Sequence, residues 1–554
     1  MTATADLSQH RWDRRRQAKA SRIEAVQAHT NGKVIRPGQL IDFLHNALRP
    51  GDRIALEGDN QKQADYLSRS LAVCDPARLH HLHMLISSVS RGEHLDLFDR
   101  GIAAKLDFAY AGPQSVRIAQ MVEDGTISVG AIHTYVELYG RMFTDLAPNV
   151  ALLCADAADS TGNLYTGPNT EDSPTITEAT AFHDGLVIVQ VNELVNGVDD
   201  LPRVDIPGSW VDFVVVSDRP YAIEPLFTRD PRQIGDVEIL KAMIALRGVY
   251  ERHMVESLNH GVGFDTAAIE LILPTYGDKL GLKGKIAKHW ILNPHPTLIP
   301  AIESGWVSSV HSFGGEPGMN RYTAARPDVF YTGADGSLRS NRVLAQLAGQ
   351  YAIDMFIGST LQMDKDANSS TVTDGRLSGF GGAPNMGHDP HGRRHSSSSW
   401  LDLASGTGTS RRGRKLVVQM VQTYRAGGVP TFVEALDAVD VGKAANMALP
   451  PVMIYGDDVS HVVTEDGVAY LYKAHSLEDR RAALAAVAGV TDVGRSAEAK
   501  RTESLRRDGL VAFPEDLHVE TRLANRSLLA ARSIADLVAW SGGLYDPPQK
   551  FKDW

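Results

Sequence analysis

Short, continuous apolar runs alternate along this chain with longer stretches of helical periodicity, the pattern of stacked strand–helix units. Strands are predicted at Arg53–Leu56 (RIAL), His81–Ile86 (HLHMLI), Val150–Cys154 (VALLC), Gly185–Val191 (GLVIVQV) and Val211–Val216 (VDFVVV). Runs of this kind mark strands covered on both faces, as in a parallel sheet. A helical pattern from Gln63 to Val73 separates the first two. Tyr221–Gly235 then breaks the alternation with Pro225, Pro231 and Gly235 and reads as a linker. Beyond it the plan restarts, with a helix predicted over Glu238–Leu258 and a glycine turn, Gly261-Val262-Gly263-Phe264, opening another helix. Lys415–Val421 returns to a buried-strand pattern, Val452–Tyr455, His461–Val463 and Gly467–Leu471 predict a small antiparallel section, and Leu477–Val487 is helical. The chain ends in Gly542-Gly543-Leu544-Tyr545-Asp546-Pro547-Pro548, which reads as an unfolded tail.

The fold class expected is α/β, with two tandem open α/β domains and largely parallel sheets. The expected division is residues 1–30 as a basic N-terminal arm, 31–228 as the first domain and 232–554 as the second. The second carries an irregular stretch at 364–409, dense in Gly, Ser, Asn, Asp, His and Pro, where functional groups gather.

Composition narrows the function classes. The 554 residues carry 56 Lys+Arg against 67 Asp+Glu, a formal net charge of −11, so the summed field repels nucleic acid and anionic lipid, and neither is an expected partner. Cys74 and Cys154 are the only cysteines, which excludes a disulfide framework and a multi-cysteine metal site and suits a reducing cytoplasm. No run reaches the roughly 18 apolar residues of a membrane span, and the arginine-rich N-terminus lacks the apolar core of a secretory signal. The expected location is therefore cytoplasmic. There is no GxxxxGK[ST] and no GxSxG, and Gly261-x-Gly263 lacks the third glycine of a dinucleotide fingerprint because position 266 is Thr.

The richest segment is Ser378–Trp400 (SGFGGAPNMGHDPHGRRHSSSSW). Gly379, Gly381 and Gly382 permit backbone conformations closed to other residues and a close approach of substrate to the main chain. Such a turn either presents free N–H groups to a developing oxyanion, with the Asn385 amide alongside, or is simply a tight loop. Arg393, Arg394 and His395 suit bidentate recognition of a carboxylate. His388, His391 and His395 would alternatively bind a metal, but two fixed guanidinium charges among them oppose it, so no metal is expected; anion binding is the favoured reading, and a solvated basic loop the plainer alternative. Glu316, in Ser312–Gly318 (SFGGEPG), stands in a glycine-rich turn as a nucleophile or base, or as an exposed turn residue. Asn163, in DSTGNL after the strand ending at Cys154, sits where open α/β sheets collect ligands, or it serves the turn itself. The basic run Arg411–Lys415 is either solvated or meets an acidic partner.

Taken together, ADAADSTGNL leading into VIVQVNELV, GVGFDTAAIE opening the second half, and SGFGGAPN resemble the CoA-transferase superfamily. The longer GFGGAPNMGHDPHGRRHSSSSW, with the length of the chain, is similar to the α subunits of biotin-independent malonate decarboxylases, and citrate lyase α subunits are the nearest functional analogue. The resemblance covers nearly the whole chain and implies tandem domains of CoA-transferase type. It also implies an acyl-carrier-protein transferase. The α subunit would exchange the acetyl group on the carrier's phosphoribosyl-dephospho-CoA arm for malonyl, releasing acetate. Decarboxylase subunits of the same complex would follow, and no cofactor would be held covalently by this chain. Within that reading, amides near Gly381, Gly382 and Ala383 hold the oxyanion, Arg393 or Arg394 holds the distal carboxylate of malonate, and His395 steadies it. One departure stands out: the Ser-Glu-Asn-Gly motif of glutamyl-thioester CoA transferases is absent, leaving Glu316 the only candidate for a covalent role. The alternatives are a free-standing acyl-CoA transferase or thioester hydrolase that uses Glu316, and a scaffold that kept the fold without the chemistry. Carrier proteins are usually acidic, so Arg14–Arg16 or Arg411–Lys415 would have to supply a local basic patch.

Overall fold

The protein is described by a computed structural model over residues 11–59, 62–221, 223, 230–334, 338, 353–386 and 415–552. The chain forms two compact units. The first is Met1–Glu224 joined by Gly375–Gly381 and Ala445–Met447, and the second is Pro225–Asp374, Gly382–Ala444 and Ala448–Trp554.

The first unit is built on a ten-stranded sheet. Its strands are β1 (Thr30–Asn31), β2 (Val34–Ile35), β3 (Arg53–Leu56), β4 (Leu82–Ser88), β5 (Ala103–Tyr110), β6 (Ser128–Ile132), β7 (Val150–Asp159), β8 (Leu164–Tyr165), β9 (Leu186–Val195) and β10 (Phe213–Val216). The order is β1-β2-β10-β9-β7-β3-β4-β5-β6, with β8 beside β7, and only the β1–β2 and β7–β8 pairs are antiparallel. This is the open, largely parallel sheet that the apolar runs required. Helices cover it with residues at helical spacing: Leu40–Ala47 buries Leu40, Phe43, Leu44 and Ala47. The Phe43 ring meets Phe213 of β10 edge-on at 4.9 Å.

Of the residues read as a basic N-terminal arm, 1–10 lie outside the described residues and Arg11–Val26 form a packed helix. Arg22 reaches Asp52 with both guanidinium nitrogens at 2.6 and 2.8 Å, and Lys19 reaches Asp212 at 2.8 Å and the Gly185 carbonyl at 3.0 Å. Each acceptor precedes a strand, so the helix lies across the amino-terminal rim of the sheet. Its Arg14, Arg15 and Arg16 remain exposed.

The second unit carries an eight-stranded sheet. β11 (Ser257–His260), β12 (His289–Ile291), β13 (Ser309–His311) and β14 (Met355–Gly358) run in the order β13-β12-β11-β14. The sheet continues through Leu416–Met420, His461–Val463, Val468–Ala469 and Val511–Ala512. The first six strands are parallel to one another, and the last two pairings, on either side of Val468–Ala469, are antiparallel.

Four expectations need correction here. The helix predicted over Glu238–Leu258 ends early: an α-helix at Asp236–Ala245 passes through a π-turn at Leu246–Glu251, and Leu258 pairs with Trp290 and Met355 inside β11. The apolar residues Val249, Tyr250, Val255 and Leu258, all buried, extend the apolar pattern of the helix into the next strand across a polar stretch. Val452–Tyr455 is not a strand; only Ile454 bridges, to Ser369. The stretch at 364–409 is ordered at its start, where Ser369–Ser370, Val372–Thr373 and Arg376–Leu377 are short strands and Ala383–Met386 is a helical turn; from 387 to 414 it lies outside the described residues. The C-terminal tail is folded. Tyr545 and Phe551 are buried, the Asp546 N–H donates to the Gly318 carbonyl at 3.0 Å, and a β-carbon at Gly318 (φ +85) would strike the Asp546 carbonyl. Truncating the Tyr545 ring should therefore destabilise the protein: Tyr545→Ala is expected to cost about 3 kcal/mol in urea unfolding, and an unchanged midpoint would mean that the tail does not pack.

Candidate active site

The segment Ser378–Gly381 is laid on the carboxyl end of β5. The Ala111 N–H donates to the Ser378 carbonyl at 2.8 Å, and the Ala109 carbonyl accepts from both Phe380 (2.7 Å) and Gly381 (2.8 Å). Gly379 (φ +75) and Gly381 (φ +59) occupy the left-handed region, and a β-carbon at Gly379 would strike the Ala109 carbonyl, so glycine is required there. The Gly381 carbonyl accepts from the Tyr135 N–H at 3.1 Å, and the Tyr135 hydroxyl lies 2.8 Å from Ser88 Oγ, at the end of β4. The Gly381 N–H is thus consumed by the fold. The chain then enters a helical turn, Ala383–Met386, and among the described residues the N–H groups of Gly382 and Ala383 have no protein acceptor. Asn385 is buried in that turn.

Three buried polar groups lie at or beneath this rim, and no motif had marked them. Glu57, directly after β3, accepts from Ser173 Oγ at 2.5 Å and from the Cys154 N–H at 2.9 Å, while Lys62 Nζ donates to Ser173 Oγ at 2.5 Å. Burial pushes the Glu57 carboxyl up, and the ammonium of Lys62 pulls against that shift. Ser87, near the end of β4, donates to Asp172 at 2.6 Å. Asp107 in β5 accepts from His83 of β4 at 2.6 Å and from His133, just past β6, at 2.7 Å, clamping three strands together. Gly130 of β6 leaves the space: a β-carbon there would overlap the Asp107 carboxylate. Burial alone would raise Asp107, but the two histidines outweigh it and hold its carboxyl well below the usual range. Burial likewise works against the His133 cation, yet Asp107 and Glu137 prevail and raise its pKa. Thr134 and Glu137 close a capping box over the next residue, fixing where Tyr135 enters its helix, Tyr135–Met142.

In the second unit, Glu316 is buried (2 % exposed) in the Gly314–Gly318 turn, rather than exposed. Elsewhere in that unit His260, the last residue of β11, and His295 both donate to Glu270 at 3.0 and 3.1 Å, and Tyr250 reaches the other nitrogen of His260 at 2.6 Å. Burial would raise Glu270, but the paired histidines hold it low. Asn163 serves its own turn: its amide donates to Asp159 at 2.8 Å and its carbonyl accepts from the Gly208 N–H at 2.8 Å. His388, Arg393, Arg394 and His395, and with them Arg411–Arg414, lie outside the described residues. Among the described residues there is no group of three or more His, Cys, Asp or Glu placed to hold a metal ion, and no helix is long and apolar enough to cross a membrane.

Residues 11–554 match the family model described as "Malonate decarboxylase, alpha subunit, transporter". The chain belongs to the malonate decarboxylase α-subunit family. Within it, the chain is 55% identical over 551 residues to an acetyl-S-ACP:malonate ACP transferase of Malonomonas rubra, covering 98% of this chain and 99% of that one. It is 63% identical, with a TM-score of 0.93, to a chain in the crystal structure of a Pseudomonas malonate decarboxylase hetero-tetramer in complex with malonate, covering 99% of this chain and 100% of that one. A malonate decarboxylase α subunit from Acinetobacter baumannii is 62% identical with a TM-score of 0.92, covering 98% and 100% of the two chains. At the level of fold alone, the family's architecture extends to a Streptococcus mutans citrate lyase α subunit (16% identity, TM-score 0.58, 83% and 87% covered) and an Escherichia coli acyl-CoA transferase (14%, 0.51, 80% and 89%). The α/β fold of CoA-transferase type expected from the sequence is the one observed.

The Asp107–His133 clamp carries a pH signature in this α-subunit family member. With His133 raised, its contribution is complete below the ordinary histidine value of 6.5 and is lost as the pH climbs through the raised value. With Asp107 lowered, its contribution persists to well below neutral pH and is lost only in acid. The gap in melting temperature between the natural protein and Asp107→Asn should therefore be widest near pH 6 and narrow toward pH 9. A gap that stayed constant over that interval would show the clamp to be uncharged.

Proposed function

We infer that this chain is an acyl-carrier-protein transferase: it exchanges the acetyl group of acetyl-S-ACP for malonyl, giving malonyl-S-ACP and acetate, as the α subunit of a malonate decarboxylase. The observation that carries this reading is the full-length match at 55% identity to a transferase of that activity. The glycine segment on the rim of the first sheet supports it, because it ends in two N–H groups with no protein acceptor among the described residues.

In the mechanism we assign, a carboxylate oxygen of malonate attacks the acetyl thioester carbonyl. The oxyanion is met by the N–H groups of Gly382 and Ala383, with the Asn385 amide nearby; Gly381, whose N–H is already spent on Ala109, shapes the turn instead. Collapse breaks the carbon–sulfur bond, expels the carrier thiolate and leaves an acetyl–malonyl anhydride. The thiolate then attacks the malonyl carbonyl, and acetate leaves with the bridging oxygen. No enzyme-bound acyl group is needed, so Glu316 is given no covalent role. Arg393 and Arg394 bind the distal carboxylate, with His395 and His388 beside them, as two guanidinium forks suit a dicarboxylate. Asn163 holds its turn and is given no substrate. The carrier's phosphoribosyl-dephospho-CoA arm brings the thioester, and decarboxylase subunits of the same complex, working in the cytoplasm, consume malonyl-S-ACP.

Mixing the purified chain with acetylated carrier and labelled malonate, then weighing the carrier, tests the activity directly. The carrier mass should move from acetyl to malonyl with release of acetate. Rapid hydrolysis of acetyl-CoA without carrier exchange would instead support a free-standing thioesterase that uses Glu316. Replacing Arg393 and Arg394 together with alanine should raise the apparent malonate KM by about 10- to 100-fold, the loss expected for hydrogen bonds to a charged group; an unchanged KM would remove both from the site.

A further inference from the structure

The peptide that joins Gly381 to Gly382 carries two groups with different fates. Its carbonyl oxygen belongs to Gly381 and accepts the Tyr135 N–H at 3.1 Å, while its N–H belongs to Gly382 and has no protein acceptor among the described residues. A trans peptide is planar, with its C=O and N–H pointing in opposite directions. Whatever fixes the carbonyl therefore aims the N–H.

Tyr135 is built to fix it. It is the first residue of the Tyr135–Met142 helix, directly after the N-cap Thr134, whose capping box with Glu137 sets the helix start. N–H groups in the first helical turn have no partner within the helix, so this donor can reach the Gly381 carbonyl. The side chain reinforces the attachment. Its ring edge lies 3.4 Å from where a β-carbon of Gly381 would stand, and its hydroxyl is 2.8 Å from Ser88 Oγ. Gly381 itself, at φ +59, gives the peptide little rigidity of its own, so an external anchor is what orients it.

We propose that Tyr135 is a positioning residue for the transfer reaction, its backbone N–H orienting the Gly381–Gly382 peptide so that the Gly382 N–H faces the thioester oxyanion. This rests on the acyl-carrier transferase reading above and deepens it. Tyr135 touches no reacting atom; it acts through the peptide.

The position permits a clean test. Proline is well accepted at the first residue of a helix, and Thr134 already has the extended backbone (φ −82, ψ 161) that a following proline demands. Tyr135→Pro therefore suits the helix start but sets its Cδ where the N–H meets the Gly381 carbonyl, breaking the anchor and displacing the peptide, whereas Tyr135→Ala removes the ring and keeps the N–H, and Tyr135→Phe removes only the hydroxyl. With acetylated carrier and malonate as substrates, Tyr135→Pro should lower kcat by about 100-fold, as losing one oxyanion donor does, with the malonate KM within about twofold. Tyr135→Phe should restore near-normal kcat, and Tyr135→Ala should lie much closer to Phe than to Pro. If Tyr135→Pro melts below the working temperature, the tyrosine α-hydroxy acid at position 135 replaces the N–H with an oxygen and keeps the ring, and the same loss of kcat is expected. A proline or α-hydroxy variant whose kcat equals that of Tyr135→Ala overturns the proposal. So does a loss that appears in KM alone. Absence of exchange by the natural protein would overturn the transferase reading instead, so the two failures are distinct.

Discussion

A single carbonyl, that of Ala109 at the end of β5, accepts N–H groups from both Phe380 and Gly381, and the rest of the candidate site hangs from that junction. The segment it captures comes from some 270 residues further along the chain and cannot be held by its own neighbours, because Gly379 and Gly381 adopt backbone conformations with little intrinsic preference. Binding that segment to a strand end turns a floppy glycine run into a fixed platform. The requirement runs both ways: a β-carbon at Gly379 would meet the same carbonyl, so the close approach and the glycine depend on each other.

The strand ends that receive the segment are stiffened by buried charge rather than by apolar packing alone. Asp107 draws a histidine from each neighbouring strand region, and Glu57, Ser173 and Lys62 join the end of β3 to the helix Ser173–Ala181 that follows β8. Buried ionic groups are worth little as net stabilisation, but removing one partner strands the other and is costly. They therefore suit a rim that must keep one geometry. The amino-terminal rim of the same sheet is tied differently, by the ion pairs of Arg22 and Lys19 from the first helix.

Where side chains were uniformly apolar, the sequence announced its structure. Arg53–Leu56 is a strand over the predicted residues, and the Val150 and Gly185 runs mark β7 and β9. Where a strand carries charge it was hidden: β5 reads AAKLDFAY, and Lys105 and Asp107 interrupt the run that would have flagged it, although Asp107 is buried by its two histidines. The tail misled for the opposite reason. Its Gly-Gly and Pro-Pro pairs signal disorder, but Tyr545 and Phe551 between and beyond them find a core. The glycine segment itself stood out by its composition. Its anchor did not, because Ala109, Tyr135 and Ser88 are ordinary residues whose roles arise only from where three strands end, and nothing local marks Glu57 or Lys62 as neighbours of Ser173.

The fold thus fixes a glycine turn at the carboxyl rim of its first sheet, in a family that includes an acetyl-S-ACP:malonate ACP transferase and a chain of a malonate decarboxylase crystallised with malonate. We propose that the N–H groups of Gly382 and Ala383, presented by the left-handed turn at Gly381, rather than any covalent side chain, carry the chemistry. Gly381→Ala tests it most directly, since the new methyl meets both an unfavourable φ of +59 and the Tyr135 ring 3.4 Å away. With acetylated carrier and saturating malonate, kcat should drop about 100-fold while the malonate KM stays close to that of the natural protein and the melting temperature, though lowered by the strain, stays above the assay temperature. An unchanged kcat would contradict the account and move the oxyanion away from this turn.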